Sequence, residues 1–286
     1  MLEFQHVDVF ANKPLSGNGV TVVYDDNQIL TTEQMQAITQ EFKQIETIFL
    51  TFKSDKEYYA RIFTVEEELG FAGHPILGAA ACVHSRYFKE EKIFTLKILL
   101  QSKTVLVTSE RKNNYYYVEM DQGRPEFIDT LKKTDTEKIL QRLSLTLDNK
   151  AETLPLEVVS TGLPYLLIPL KSGLENVQII TNDLSEILRY YKAKFTYVFD
   201  VNTLEGRSFD NEGKVEDVAT GSAAGPLCAY LIKHGLKEKN KDVEIHQGKY
   251  VGRPSTILAK YTTDNNDSII VGGAVAFFGS GTFEIS

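Results

Sequence analysis

Three side chains in this sequence are of the types that move protons in enzymes. Glu46 stands at the start of a predicted strand, His74 at the start of a predicted helix, and Asp217 on the chain that enters another helix. A carboxylate beside an apolar strand is a candidate for a raised pKa and for general acid/base work. An imidazole near a helix N-terminus is held toward its neutral form, which accepts or shares a proton. Together these residues predict proton transfer.

Both acids also have a simpler interpretation. Taken alone, Glu46 is more simply explained as a surface carboxylate on an edge strand. Asp217 directly follows Glu216, so one member of that pair is pushed toward its protonated form if both are enclosed. Acidic pairs on solvated turns are common, however, and the spacing alone leaves both interpretations open.

The stretch 216–225 predicts an anion-binding helix start. Its acids lead into small residues, and Thr220 or Ser222 is positioned to cap a helix that runs from Ala223 to Leu231. The first turn of a helix has unpaired N–H groups and the positive end of the dipole, so it attracts a carboxylate or a phosphate. Gly221 lets such a ligand approach the backbone closely.

Residues 66–75 repeat this design more weakly. They are again acid-rich, then small, and Pro75 suits the first position of the helix that continues to residue 87. Helices as apolar as these two are usually buried. They predict two related lobes that present helix ends to a shared cleft, and a chance similarity of Gly/Ala-rich helices is the alternative.

Length, charge and hydropathy limit the class of protein. The 286 residues suffice for two domains. A net charge of −8 and a pI near 5.3 argue against nucleic acid as the main partner. No run approaches the roughly 18 apolar residues of a membrane span, and the N-terminus lacks the features of a secretory signal. We therefore expect a cytoplasmic protein without a membrane partner.

The sequence gives no sign of a metal or a cofactor. Cys82 and Cys228 both lie in predicted helices, form no disulfide framework, and are expected to be buried thiols. The five histidines show no metal-ligand spacing. The glycines at 17–19, 272–273 and 279–281 are interpreted as turns, because none has the strand–glycine–helix context of a nucleotide site. We expect neither a metal nor a nicotinamide or nucleotide cofactor.

The local patterns predict an α+β fold of two pseudo-symmetric lobes, each a mostly antiparallel sheet or barrel around a central buried helix. No strand–helix alternation suited to a parallel sheet is visible. The pattern loosens between residues 122 and 134, which predicts the lobe boundary. The expected lobes are residues 1–124, which the C-terminal residues 274–286 rejoin, and residues 125–273.

Five separated motifs, in order, resemble the phenazine-biosynthesis PhzF-like isomerase family across essentially the whole chain. They are, in sequence, residues 7–10 (VDVF) with 17–20 (GNGV), 46–47 (ET), 71–75 (FAGHP), 216–217 (ED) with 220–223 (TGSA), and 247–248 (QG) with 252–255 (GRPS). Any one of these motifs alone would be a weak signal. Their order along the chain makes the resemblance specific.

The resemblance implies a diaminopimelate-epimerase-like fold with a cofactor-free site between two lobes. It assigns Glu46 as the residue that shuttles a proton, with His74 and Asp217 lining the site. It also implies that the helix starts at Gly73 and at Gly221-Ser222, with Thr220, hold the carboxylate of the substrate. These residues lie at the same two helix starts that the local sequence patterns, without the resemblance, predict to bind anions.

The sequence departs from the family pattern at two positions. The family usually has a serine before the catalytic glutamate, where this chain has Ile45, and a proline after the Glu-Asp pair, where this chain has Val218. Neither change removes a proton-carrying group. Both bear on which substrate is used.

The leading hypothesis is a cofactor-independent isomerase of a small carboxylate, and homodimerisation is expected by analogy with the family. One alternative is an amino-acid racemase or epimerase of the two-thiol kind. That chemistry needs a thiolate on each side of the substrate, whereas Cys82 and Cys228 lie about two turns inside their helices. The other alternative is a non-catalytic protein that binds a small molecule or a protein partner.

Overall fold

The computed structural model describes residues 1–264 and 267–285, and the chain forms two compact units. Unit 1 consists of Met1–Asp121 and Gly272–Ser286, and unit 2 consists of Gln122–Val271. Residues 265–266 and Ser286, which the predicted lobes include, lie outside the described residues. Whether each predicted lobe is an independent domain stays a prediction.

Five α-helices and sixteen strands are assigned within the described residues. The helices are α1 (Thr32–Phe42), α2 (Gly73–Tyr87), α3 (Lys133–Arg142), α4 (Leu184–Tyr190) and α5 (Gly221–Lys233). The strands are β1 (Leu2–Val9), β2 (Asn18–Tyr24), β3 (Glu46–Ser54), β4 (Glu57–Thr64), β5 (Glu68–Leu69), β6 (Ile93–Leu99), β7 (Thr104–Arg111), β8 (Tyr116–Asp121), β9 (Glu126–Thr130), β10 (Glu157–Ser160), β11 (Pro164–Leu170), β12 (Phe195–Asp200), β13 (Glu205–Arg207), β14 (Asp242–Gln247), β15 (Ser255–Thr262) and β16 (Ser268–Phe283). The predicted mixed α+β class is confirmed.

Unit 1 is a closed ring of strands around one helix. The strand order is β1-β2-β3-β4-β6-β7-β8-β16, and β16 pairs with β1 to complete the ring. The helix α2 packs against β1, β2, β3, β6, β7 and β8, and its residues from His74 to His84 are buried. Gly78 permits this close packing, because a Cβ there would lie only 2.7 Å from Val20 Cγ1.

Unit 2 is an open sheet with helices packed against it. Its strand order is β9-β10-β11-β12-β13-β14-β15. The helix α5 is mostly buried and packs against β10, β11 and β15. Leucines of α3 and α4 form part of an apolar cluster in this unit, and in it Leu140 and Leu188 are almost fully buried. The prediction of a buried helix on a sheet therefore holds in this unit too.

The expected absence of strand–helix alternation is wrong. Four neighbouring pairs are parallel, namely β2 with β3, β4 with β6, β11 with β12, and β13 with β14. An α-helix lies between the two strands of each pair in the sequence, as a parallel crossover requires. Antiparallel pairs still predominate, and the parallel pairs join strands that are separated in the chain by a helix.

The interpretation of the late glycines as turns is also wrong. Gly272, Gly273, Gly279 and Gly281 all lie inside the single long strand β16. A Cβ on Gly272 would lie 2.5 Å from the carbonyl oxygen of Val118 in β8. These glycines include positions where backbones of neighbouring strands approach closely, a role that glycine also has within strands.

Candidate active site

Glu46 and His74 form a direct carboxylate–imidazole pair in unit 1. Glu46 Oε2 lies 2.9 Å from His74 Nε2, and the two side chains are only 13% and 8% exposed. The two groups are thus in direct contact, and a reacting group that displaces either partner meets a proton carrier. The pair can therefore act as an acid or as a base.

The local fold explains why these two side chains meet. Glu46 is the first residue of β3, which pairs with β2 through Val20 and with β4 through Thr64. The strand has neighbours on both sides, so the interpretation of Glu46 as an edge-strand surface carboxylate is wrong. His74 is the second residue of α2, which lies inside the ring of strands.

The helix start beside His74 differs in detail from the sequence prediction. The helix α2 begins at Gly73, so Pro75 is its third residue and not its first. The N-cap is Ala72, whose side chain has no oxygen to accept a hydrogen bond. The N-cap side chain therefore does not cap the first turn, and the positive end of the dipole there attracts anions.

In unit 2, Asp217 is fixed by a hydrogen bond from Thr220. Thr220 Oγ1 donates to Asp217 Oδ2 over 2.6 Å, and the backbone N–H of Asp217 donates to the carbonyl oxygen of Ser208 over 2.9 Å. Thr220 occupies the N-cap position of α5 but makes no side-chain cap bond. Thr220 is therefore the N-cap residue, as one of the two predicted candidates, but its hydroxyl binds Asp217 and does not cap the helix.

A buried amide, Gln247, holds the same loop from behind. Its Nε2 donates to the carbonyl oxygen of Asp217 over 2.8 Å and to Thr220 Oγ1 over 3.0 Å. Its Oε1 accepts from the N–H of Thr220 over 3.0 Å and from the Tyr197 hydroxyl over 3.1 Å. Burial raises the pKa of Tyr197, which keeps that hydroxyl protonated and able to donate. All four hydrogen-bonding sites of the Gln247 side chain are thus used within this unit.

Glu216 is committed to an ion pair with Arg207. The guanidinium donates to both oxygens of the Glu216 carboxylate, over 2.9 and 2.7 Å, and both side chains are almost fully buried. Arg207 also donates to the carbonyl oxygens of Leu174 and Val177. Glu216 therefore has a structural role: its ion pair with Arg207 anchors the segment that leads into Asp217. The guanidinium neutralises the charge of the Glu216 carboxylate.

The first turn of α5 is positioned by two further side chains. The Ser222 hydroxyl lies 2.7 Å from the Tyr165 hydroxyl, and Gln122 Nε2 donates to the carbonyl oxygen of Gly221 over 2.9 Å. As in α2, no side chain caps this helix start. Within unit 2, the structure thus brings together Asp217, Thr220, Gly221 and Ser222.

The remaining candidate groups lie elsewhere. Cys82 and Cys228 are both free and buried. Burial raises the pKa of the Cys82 thiol far above its usual range and that of Cys228 to about 12. In residues 1–264 and 267–285, no group of three or more His, Cys, Asp or Glu side chains is arranged to hold a metal ion. Among the same residues, no helix is long and apolar enough to span a membrane.

Comparison with known proteins identifies the relatives of this chain. The family model described as phenazine biosynthesis-like protein, PhzC-PhzF, matches residues 7–280. The chain belongs to this family. It is 33% identical over 282 residues to the trans-2,3-dihydro-3-hydroxyanthranilate isomerase of Pseudomonas chlororaphis, covering 96% of this chain and 97% of the relative.

Two more relatives support the same assignment. The uncharacterized isomerase YddE of Escherichia coli K12 is 30% identical over 292 residues, which cover 96% of this chain and 95% of YddE. The crystal structure of a predicted epimerase from Pseudomonas aeruginosa is 42% identical, covers both chains completely, and has a TM-score of 0.92. This PhzF-family protein is accordingly an enzyme of the isomerase class.

The sequence singled out Glu46, His74 and Asp217 as candidates for proton transfer but did not indicate the residues that hold the Asp217 loop. Gln247 was noted only as part of a motif, and its partners Thr220 and Tyr197 are distant in sequence. Arg207 and Tyr165 gave no local signal at all. The one available clue was the glycine that follows Gln247. Gly248 has a positive φ of 88°, and a Cβ on it would lie 2.8 Å from the Val218 carbonyl oxygen.

Proposed function

We propose that this PhzF-family enzyme is a cofactor-independent isomerase that moves a proton between two carbons of a small carboxylate-bearing metabolite. The observation that carries the proposal is the enclosed pair of Glu46 Oε2 and His74 Nε2, 2.9 Å apart. A buried acid in contact with an imidazole is a proton carrier that needs no further group.

In the proposed mechanism, Glu46 takes a proton from one carbon of the substrate. The electron pair that is left shifts the adjacent double bond, and Glu46, after its carboxyl proton has exchanged with water, donates a proton to a different carbon. No bond to another molecule forms, so the reaction is an isomerisation without oxidation or reduction. His74 steadies the charge on Glu46 and on the substrate while the proton is in transit.

Asp217 is assigned to position an amino or hydroxyl group of the substrate. The uncapped starts of α2 and α5, at Gly73 and at Gly221-Ser222 with Thr220, are assigned to its carboxylate. Backbone N–H groups aimed at an anion also stabilise an enolate-like charge as it develops.

A cyclic amino or hydroxy acid fits this set of groups. The relative from Pseudomonas chlororaphis is named for trans-2,3-dihydro-3-hydroxyanthranilate, which carries an amino, a hydroxyl and a carboxylate group. Ile45 and Val218, which depart from the family pattern beside the two acids, adjust the fit of the substrate. We further propose that the enzyme works as a homodimer in the cytoplasm, and sedimentation velocity tests the dimer.

The two-thiol racemase mechanism is disfavoured by the state of the cysteines. Both thiols are buried, and burial raises the pKa of each, so neither supplies a thiolate near neutral pH. A racemase would have to use other groups.

The test is a substrate panel followed by NMR. Purified enzyme is incubated with trans-2,3-dihydro-3-hydroxyanthranilate and with other cyclic amino and hydroxy acids, and new isomers are sought. The variant Glu46→Gln keeps the size of the side chain and removes its acidity. Glu41→Gln, which alters an exposed residue of α1, is the matched control.

We expect conversion of at least one panel member by the wild type and by Glu41→Gln, and a loss of at least a hundredfold in Glu46→Gln. Turnover that survives in Glu46→Gln would refute the role of Glu46. Ligand binding without conversion of any panel member would favour the non-catalytic alternative.

A further inference from the structure

A separate pocket lies in unit 1, where the C-terminal end of α2 meets the β3–β4 hairpin. Its volume is about 260 Å³, far above the roughly 10–15 Å³ in which one water fits. None of the residues assigned to proton transfer lines it. The lining consists of four aromatic rings and two carboxylates: Phe52, Tyr58, Tyr87, Phe88, Asp26 and Asp55. We call this the aromatic–acid pocket.

The rings present their faces in different directions. Tyr58 is buried, whereas Phe52 and Tyr87 are 48% and 44% exposed. The Phe52 ring lies edge-on to Tyr58, with centroids 5.7 Å apart and an interplanar angle of 79°. Tyr87 is closer to parallel with Tyr58, at 6.5 Å and 25°. A group that enters the pocket therefore meets aromatic faces on more than one side.

The pocket is also negatively charged. Among the described residues, neither Asp26 nor Asp55 forms an ion pair, although Asp26 accepts a hydrogen bond from the N–H of Phe52. Burial is the main cause that raises the pKa of the Tyr58 hydroxyl. The charges of Tyr87, Asp26 and Asp55 raise it further. The field of both carboxylates thus reaches the buried ring, as does the opposing field of Arg86, which lowers this pKa.

The nearby elements favour a cation further. The fifteen-residue helix α2 ends at Tyr87, with Phe88 as its C-cap, so the negative end of its dipole lies at the pocket. Arg86 lies over the Tyr87 ring, 5.2 Å from its centroid, but Glu3 Oε2 neutralises its guanidinium at 2.5 Å. Lys53 is turned toward Glu57 and the Tyr59 ring.

From this combination we propose that the aromatic–acid pocket binds a small organic cation with an alkylated ammonium group. Aromatic faces attract a cation that lies within about 6 Å of the ring centroid, and quaternary ammonium ions fit such cages. The two carboxylates add charge complementarity. An anion, such as the proposed substrate of the enzyme, is repelled from the same place.

The experiment compares choline with 3,3-dimethylbutan-1-ol, which has the same shape with carbon in place of the charged nitrogen. Each compound is titrated into the full-length protein at constant ionic strength, and binding is followed through the amide NMR signals of the hairpin and of the end of α2. Asp55→Asn and Phe52→Leu test the charge and the ring. Asp148→Asn and Phe127→Leu, which alter exposed residues of unit 2, are the matched controls.

We expect saturable choline binding that is at least tenfold tighter than that of the neutral isostere. Asp55→Asn should weaken it about fivefold, the effect of removing one unit charge at about 4 Å in water. Phe52→Leu should weaken it severalfold, and both control variants should bind choline as the wild type does.

Equal binding of the two compounds would overturn the proposal, because it would reveal an apolar groove without charge selectivity. An effect of Asp55→Asn no larger than that of Asp148→Asn would overturn it as well. So would concentration-dependent shifts of the same signals without choline, since a second copy of the chain would then be the occupant. None of these outcomes depends on the proposed isomerase reaction.

Discussion

At the level of single residues, the feature that matters most is a carboxylate whose closest identified partner is an imidazole. Glu46 and His74 come from the start of a strand and the start of a helix, and the packing of α2 inside the ring of strands brings them to 2.9 Å. Their small exposed fractions limit competition from water. Such a pair exchanges a proton with a bound molecule more readily than a solvated acid does.

The two thiols provide a residue-level test of the chemistry. Because burial raises the pKa of both Cys82 and Cys228, almost no thiolate exists between pH 7 and 9. We expect iodoacetamide to leave the folded protein unmodified and fully active, and to alkylate two cysteines after denaturation in urea. Mass spectrometry gives the count. Rapid alkylation of the native protein with loss of activity would revive the two-thiol racemase mechanism.

His84 should make the stability of unit 1 depend on pH. It is fully buried, with Nδ1 2.9 Å from Ser109 Oγ and Nε2 3.1 Å from the carbonyl oxygen of Glu91. Burial lowers its pKa from the ordinary value of 6.5. A lowered pKa means that this contribution to stability is complete above pH 6.5 and is lost as the pH falls through the folded-state pKa.

We therefore expect the free energy of unfolding to decrease between pH 8 and pH 5. The decrease should be smaller in His84→Gln, which cannot be protonated. Urea unfolding at both pH values measures it. His246→Gln alters a side chain that is 40% exposed and should keep the wild-type difference. An unchanged difference in His84→Gln would show that other groups cause the pH dependence.

At the level of elements, the position of α2 depends on the absence of a side chain at Gly78. A Cβ there would lie 2.7 Å from Val20 Cγ1 and 3.1 Å from Val7 Cγ2. Alanine favours a helix by about 1 kcal/mol over glycine, but overpacking a core costs about 1–3 kcal/mol. The clash should prevail, because β1 and β2 are held between other strands of the ring.

We expect Gly78→Ala to lower the free energy of unfolding by up to about 2 kcal/mol, as measured in urea. Gly279→Ala adds the same atom where nothing lies within 4 Å of the new Cβ, and should have little effect. A Gly78→Ala variant that is more stable than the wild type would contradict this account of the packing.

The loop that carries Asp217 is the second element-level feature, and Gln247 controls it. In Gln247→Glu at pH 8, the new carboxylate has no hydrogen to donate to the Asp217 carbonyl oxygen or to Thr220 Oγ1. Two lost buried hydrogen bonds should cost about 2–4 kcal/mol. Burial raises the pKa of such a carboxyl group, so protonation should restore part of the stability as the pH falls.

Thermal unfolding at pH 8 and pH 5 tests this prediction. The melting temperature of Gln247→Glu should lie far below that of the wild type at pH 8 and closer to it at pH 5. Gln178→Glu, at an exposed position, should melt like the wild type at both pH values. A Gln247→Glu variant as stable as the wild type at pH 8 would mean that the amide does not hold the loop.

At the level of the whole molecule, local sequence patterns predicted what is local in the fold. The starts of β3, α2 and α5 follow from apolar runs and small residues, so the surroundings of Glu46, His74 and Gly221 were predictable. A local capping box also begins α1, where the Thr31 and Gln34 side chains each accept a hydrogen bond from the backbone of the other.

Long-range pairings were not predictable from one sequence. Gln247 meets Thr220, and Gln122 meets Gly221, only because strands and helices distant in the chain become neighbours. The glycines of β16 suggested turns, because the sequence does not show that a Cβ on Gly272 would meet the Val118 carbonyl oxygen of a distant strand. The parallel crossovers were missed because the pattern of one strand does not reveal which distant strand becomes its neighbour.

Deuterium incorporation tests whether Glu46 carries a proton between carbons of the substrate. A panel compound that the enzyme converts is incubated in D2O with the wild type, Glu46→Gln and Glu41→Gln, and deuterium at carbon is followed by NMR. With the wild type and with Glu41→Gln, we expect deuterium at the carbon that receives the proton. With Glu46→Gln, we expect none. Equal incorporation by Glu46→Gln and the wild type would contradict it.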